Sequence, residues 1–278
     1  MSMSERRRFL RACVAAPLLA GGIARAGALE RVRSRGSIRI ALYDDFAPFS
    51  DDAGGIDVTV ARALARRLGV SADIVLFDAG EDMRDDLRVM VWKGGPLGHA
   101  LCDMMLHVPV DPVLAEAAPQ VRIFAPYHLE QIVTLRDGEH VPPILGMDAF
   151  TRERIGVETG SLADEYLLTA LGGRFRENVL HFRSLAEAVG AVRDGTVRIV
   201  VGTRAPIEAA LGGPSERYAI ARFTGAGLSV REWPVGVATR REDEDLGREI
   251  EAALAAMDAD GSLDAAFRAH AVTRLPAS

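Results

Sequence analysis

Arg154–Leu171 reads RIGVETGSLADEYLLTAL. Ile155-Gly156-Val157-Glu158 is the short apolar run of a buried strand, Thr159-Gly160-Ser161 is a turn, and Leu162 to Leu171 follows the helical period. A strand passed through a glycine straight onto a helix is the unit from which open parallel α/β sheets are assembled. The first N–H groups of such a helix have no partner within it, so the turn can receive an anion or a carbonyl oxygen. An ordinary capped turn reads the same way.

A similar unit occurs upstream: the strand Ser37–Leu42, a loop from Tyr43 to Ile56 containing Phe46-Ala47-Pro48-Phe49, and a helix capped by Asp57 that runs from Val58 to Leu68. Further strands are expected at 72–77, 102–108, 131–135, 154–157, 179–182, 197–201, 217–222 and 235–239. Further helices are expected at 185–193, 206–211, 246–257 and 263–269. Alternation of this kind implies parallel-dominated sheets flanked by helices.

The 278 residues suffice for two lobes, each with its own core. Arg6-Arg7-Arg8-Phe9-Leu10-Arg11 precedes a short apolar region, Ala12 to Ile23, and Ala24-Arg25-Ala26 offers the small residues of a cleavage site. Residues 1–26 therefore read as an export signal. The Arg-Arg-x-Phe-Leu pattern suggests the twin-arginine route, with a Sec signal as the alternative. Loss of that segment, which carries five Arg and one Glu, moves the formal net charge from −6 to −10. An acidic chain of this kind is a poor partner for nucleic acid or an anionic membrane. Cys102 is then the only remaining cysteine, which excludes an internal disulfide and fits a buried thiol.

The two strand–turn–helix units, their order and their separation resemble the type II periplasmic solute-binding proteins, specifically the extracellular solute-binding protein family 3, over residues 29–272. The resemblance implies a two-lobe α/β fold with a two-crossing hinge. The first crossing follows Val121–His128 and the second follows Ser229–Pro234. Lobe 1 would comprise 27–127 and 228–278, and lobe 2 would comprise 128–227. It also implies a periplasmic monomer that captures a small molecule between its lobes for the permease of an ABC transporter.

Ligands of open α/β sheets lie beyond the carboxyl ends of the strands. That rule selects four loops. The first offers Asp44, Asp45, Phe46 and Phe49, as cation partners and stacking rings. The second offers His107, Pro109 and Asp111. The third offers Thr159, Gly160 and Ser161, and the fourth Thr203 and Arg204, whose guanidinium could fork onto a carboxylate. Amino-acid binders of the resembled family carry an Arg in the second of these loops and an Asp before Ala-Pro in the fourth. This chain has no Arg between Pro109 and Val121, and Arg204 stands before Ala205-Pro206. A zwitterion would lose both anchors, so a ligand other than a standard amino acid is expected.

Leu101 to Val110, LCDMMLHVPV, is similar to the branch associated with periplasmic quinoprotein (PQQ-dependent) alcohol dehydrogenases, which implies an accessory role beside such an enzyme as an alternative. His99, His107 and His128 lack metal-ligand spacing and read as surface or hinge residues. Glu81–Asp86 reads as a solvated helix start, and Trp92–Pro96 as a flexible loop. No nucleophile elbow, phosphate loop or catalytic carboxylate spacing is present. No cofactor, metal or catalytic residue is expected, unless Glu158 or Asp111 serves as the acid of a dehydratase on the same fold.

Overall fold

The computed structural model describes residues 27–95, 100–225 and 227–277. The expected export segment, Pro96 and His99 lie outside them. The first half of the chain forms α1 (Ala28–Arg35), β1 (Ser37–Tyr43), α2 (Ile56–Arg67), β2 (Ser71–Phe77), α3 (Met83–Leu87), β3 (Met104–Pro109), α4 (Pro112–Ala117) and β4 (Val121–Asp137). The second half forms β5 (Ile155–Glu158), α5 (Leu162–Gly173), β6 (Val179–Phe182), α6 (Leu185–Arg193), β7 (Ile199–Thr203), α7 (Arg204–Leu211), β8 (Tyr218–Arg222), β9 (Glu232–Arg240), α8 (Glu244–Ala259) and α9 (Ser262–Arg268).

Two parallel triplets, β2-β1-β3 and β7-β5-β6, lie at the two ends of one hydrogen-bonded array and are joined by antiparallel β9 and β4. β4 is the element that unites them. Its first half pairs with β9, and its second half pairs with β7 on one edge and β8 on the other. Apolar side chains gather accordingly. Ile38, Ile40, Val60, Leu64, Val237, Ile250 and Phe267 belong to one core, while Ile155, Val157, Leu167, Phe175 and Val201 belong to another. Trp233 of β9 is half-buried and packs against both.

β4 spans Val121–Asp137, with a register shift against β9 between Phe124 and His128, where the sequence suggested a strand only at 131–135; the flanking Glu130 and Asp137 are buried with partners rather than exposed. α2 starts at Ile56, with Gly55 at its N-cap, so Asp57 is not the cap but a first-turn residue only 1% exposed. Gly55 is required there: its φ is +136°, and a Cβ would lie 2.2 Å from the Phe49 carbonyl oxygen. α4 was not among the expected helices, α7 begins earlier than the apolar period indicated, and α5 continues past Leu171 through a kink at Ala170–Gly172.

The C-terminal tail runs along β4 on the edge away from β9. Leu129 donates its N–H to the Leu275 carbonyl (3.0 Å), and Arg274 donates to the Tyr127 carbonyl (3.0 Å). Thr273 donates its N–H to Glu208 of α7 (2.7 Å). Cys102 is fully buried and its thiol pKa is pushed up to about 11 by burial, as expected of an inert thiol.

Candidate functional site

Beneath the loop after β1 lies a buried polar knot. Tyr127 donates its hydroxyl to Asp57 Oδ1 (2.7 Å), His107 donates from Nδ1 to Asp57 Oδ2 (2.9 Å), and the His107 N–H donates to the Tyr127 oxygen (3.1 Å). Burial, reinforced by the neighbouring Asp57 carboxylate, holds the Tyr127 hydroxyl well above its ordinary pKa, so it stays a donor. Phe49 packs on the His107 ring at 4.1 Å between centroids and Phe46 meets it edge-on at 4.9 Å. His107 has φ +59° and occupies a bulge in the β3–β9 pairing, the kind of irregularity that turns a side chain out of register.

The first loop divides its expected residues. Phe49 is 1% exposed and belongs to the core, whereas Phe46 is half-buried and Asp45 is exposed with φ +48°. Asp44 accepts the Asp45 N–H (2.9 Å). In the second loop Asp111 caps α4 by accepting from Leu114 (2.8 Å), and Pro109 pairs with Val235. His107 and His128 are not surface residues. His128 is 1% exposed within the hinge strand; it accepts the Leu275 N–H on Nδ1 and donates from Nε2 to buried Glu130 (2.8 Å).

The third loop differs from its sequence reading. Asp164, three residues past the N-cap, accepts the Gly160 N–H (2.8 Å), while the Ser161 hydroxyl accepts the Asp164 N–H (3.2 Å). Thr159 donates both its N–H and its hydroxyl to the Phe182 carbonyl (2.9 and 3.0 Å). Ser161 donates its N–H to the Glu158 carbonyl (3.2 Å). The protein's own carboxylate therefore fills the anion position that Gly160 was expected to offer. In the fourth loop Thr203 is the N-cap of α7. Arg204 donates from its Nε to Glu208 (2.6 Å), the residue that also holds Thr273.

Glu158, at the carboxyl end of β5, was a candidate only for an enzyme. Its pKa is raised, first by burial and then by the negative charge of Asp45. Carboxylates from the β1 and β5 loops thus share one electrostatic environment. A groove of about 660 Å³ runs along the hinge beside these loops, taking Val110 and Asp111 together with Gln131, Arg222, Trp233 and Glu232. Its Arg222 is paired with Glu232 (2.6 Å). Among the described residues, Asp137, Glu139 and His140 lie close enough to hold a metal ion, at the opposite end of β4's second half. Arg198 and Arg217 already engage Asp137 there (3.0 and 2.9 Å). Asp82 caps α3 as the acidic run suggested, but Asp86 is buried against the Tyr43 hydroxyl (2.7 Å).

Two triplet sheets joined by β4 and β9, with loops gathered at the carboxyl ends of their strands, are the two-lobe fold of the periplasmic binding proteins. An ancestral cationic amino acid solute binding protein shares it with a TM-score of 0.65 at 21% identity, over 87% of this chain and 98% of that one. The solute receptor for L-cysteine of Neisseria gonorrhoeae does so with a TM-score of 0.55 at 22% identity, over 88% and 93%. In sequence, the chain is similar to the L-cystine-binding protein TcyJ of Escherichia coli strain K12, 26% identical over 270 residues and 93% of each chain. No family model matches it. These comparisons bring no support to the quinoprotein-associated branch suggested by Leu101 to Val110. Among the described residues no helix is long and apolar enough to cross a membrane.

Proposed function

We propose that this chain is an exported, non-enzymatic solute-binding protein of the family 3 type, which closes two lobes over a small polar molecule and presents it to the permease of an ABC transporter. Lobe 1 is taken as 27–127 and 228–278, lobe 2 as 128–227, and residues 1–26 as the signal. The carrying observation is the β4–β9 ribbon: it joins two cores, and Trp233 of that ribbon touches both. Such a ribbon can bend without unpacking either core. Similarity to a solute-binding protein over 93% of both chains supports the same reading.

The relatives bind amino acids, and this chain lacks the family's arginine while its Arg204 is tied to Glu208. Against the amino-acid ligands of these relatives, our reading keeps a ligand outside the standard amino acids, on the sequence ground of the missing arginine. The test is a thermal-shift screen over amino acids, amines, organic acids, sugars and metal ions. Fluorescence of a Trp92→Phe variant follows it, because the chain has two tryptophans and Trp233 would then report alone. A solute at a hundredfold excess over Kd should stabilise the fold by about 2.7 kcal/mol and shift the Trp233 emission. If no solute in the screen does either, the binding-protein reading fails. Micromolar binding of a standard amino acid would overturn the placement of the ligand alone.

A further inference from the structure

Residues 272–275 are anchored first to their own end of the molecule. Val272 is buried in the core that holds Ile38 and Phe267. Arg274 is bound on one side to Asp258 of α8 and Asp264 of α9, and on the other to the Tyr127 carbonyl. In the division proposed above all of these partners belong to lobe 1, so the tail moves with that lobe.

The remaining contacts of the tail leave lobe 1. Leu275 accepts the Leu129 N–H (3.0 Å) and donates its own N–H to Nδ1 of His128 (3.3 Å), both in β4. Thr273 donates its N–H to Oε2 of Glu208 (2.7 Å), whose Oε1 accepts from Nε of Arg204 (2.6 Å). Glu208 is 8% exposed and stands on α7, a helix of lobe 2.

α7 supplies an independent observation, because it packs in two directions. Ile207, Ala210 and Leu211 join Val133, Leu185 and Val189 of lobe 2, whereas Ala205, buried, and Ala209 pack on the lobe 1 core. Ala205, Glu208 and Ala209 are three and four residues apart and so share one face of the helix. That face meets lobe 1.

Resting on the two-lobe reading above, we infer that Glu208 and residues 273–275 form a latch between the lobes, a third tie beside the two chain crossings of β4 and β9. Bending of the ribbon carries the α7 face along lobe 1, so the Thr273–Glu208 bond is broken or remade as the lobes move. A hydrogen bond to a carboxylate is stronger than a neutral one. Placed between two bodies whose arrangements differ little in free energy, it favours the arrangement in which it is made.

The test measures interlobe distance by pulsed EPR in the protein without solute. Spin labels are carried by Arg62→Cys and Ala186→Cys, exposed positions of α2 and α6, while the fully buried Cys102 takes no label. Glu208→Ala removes the acceptor, loss of residues 273–278 removes the tail, and Arg204→Ala removes the ion pair within α7 but leaves the bond to Thr273. Glu208→Ala and the truncation should each shift or broaden the distance distribution, and Glu208→Ala should add nothing to the truncated chain. Arg204→Ala should keep the parent distribution. The latch is overturned if Glu208→Ala keeps that distribution too, if Arg204→Ala moves it as far, or if Glu208→Ala adds its full effect to the truncated chain. Should the truncated chain not fold, the comparison of Glu208→Ala with Arg204→Ala decides alone. Unchanged distances in a chain that binds a compound from the thermal-shift screen remove the latch and spare the solute-binding reading. Distances that shift as expected in a chain that binds no compound remove that reading and keep the latch.

Discussion

The loop after β1 stands on a foundation of buried polar groups, Asp57, His107 and Tyr127, with Phe49 driven into the core beneath it. The loop after β5 stands on nothing comparable. It is exposed at Thr159 and Gly160, and it closes on itself through Ser161 and Asp164, with His181 donating to Asp164 from the neighbouring strand (3.0 Å). One side of the cleft is therefore fixed by buried contacts between elements far apart in the chain, and the other by a local cap braced from the adjacent β6 through Phe182 and His181. Strand–loop–helix units that look alike in sequence present different chemistry because of what lies under them.

The largest effect that tests this contrast is removal of the two carboxylates. Asp57→Ala leaves the Tyr127 hydroxyl and the His107 ring Nδ1 without the carboxylate that accepts from them, and should cost about 2–5 kcal/mol by urea denaturation. Asp164→Ala removes a capping contact and should cost about 1 kcal/mol. Equal losses would mean that the two loops are anchored alike.

Glycine substitutions sharpen the same comparison. Gly55→Ala forces a Cβ against the Phe49 carbonyl at an unfavourable φ, and should cost at least about 2–3 kcal/mol. At Gly160 a Cβ would have nothing within 4 Å, so only the +74° φ resists substitution, at about 1–2 kcal/mol. A Gly160→Ala loss as large as that of Gly55→Ala, measured in the same way, would show that the β5 loop is packed rather than open.

A smaller effect concerns acid. Away from the cleft, Asp137 takes Arg217 and Arg198, and the Arg217 hydrogen bond above all holds its carboxyl below the usual carboxylate range. A depressed carboxylate contributes fully above its unfolded pKa of about 4 and loses that contribution as pH falls through its folded value. Stability should therefore decline below about pH 4, and Arg217→Gln should flatten that decline when melting temperatures are compared from pH 6 downward. An unchanged slope in Arg217→Gln would take the acid sensitivity away from this cluster.

The fold was legible because hydrophobic periodicity is a local signal: Ile155–Glu158 with Leu162–Leu171, and Ser37–Leu42 with its following helix, each announced a strand feeding a helix. The joined length of β4 was not, since Glu130 and Asp137, on either side of the expected stretch, look exposed until their burial and partners are known. The site was legible in its outline, the four loops, and less so in its members. Asp57 was read as a cap because Asp before an apolar run commonly is one, and nothing local reveals His107 and Tyr127, fifty and seventy residues downstream. Asp164 could have been suspected, since Ser161-x-x-Asp164 has the spacing of a reciprocal cap, but that motif aims Asp164 at the Ser161 N–H, whereas it accepts the Gly160 N–H one residue earlier.

The stitching of the C-terminal tail to α7 and β4 bears on the order in which the molecule can be assembled. The β5–β8 lobe is drawn from one continuous stretch and closes its core once Leu228 and Trp233 have been made. The other lobe waits for β9, α8 and α9, whose Val237, Ile250 and Phe267 complete a core begun with Ile38 and Ile40. Contacts so distant in sequence form late and slowly. Thr273, Arg274 and Leu275 then bind α7 at Glu208 and β4 at Tyr127 and Leu129. They follow in the chain every element they join, and they can dock only once α7 and β4 already stand in their final positions.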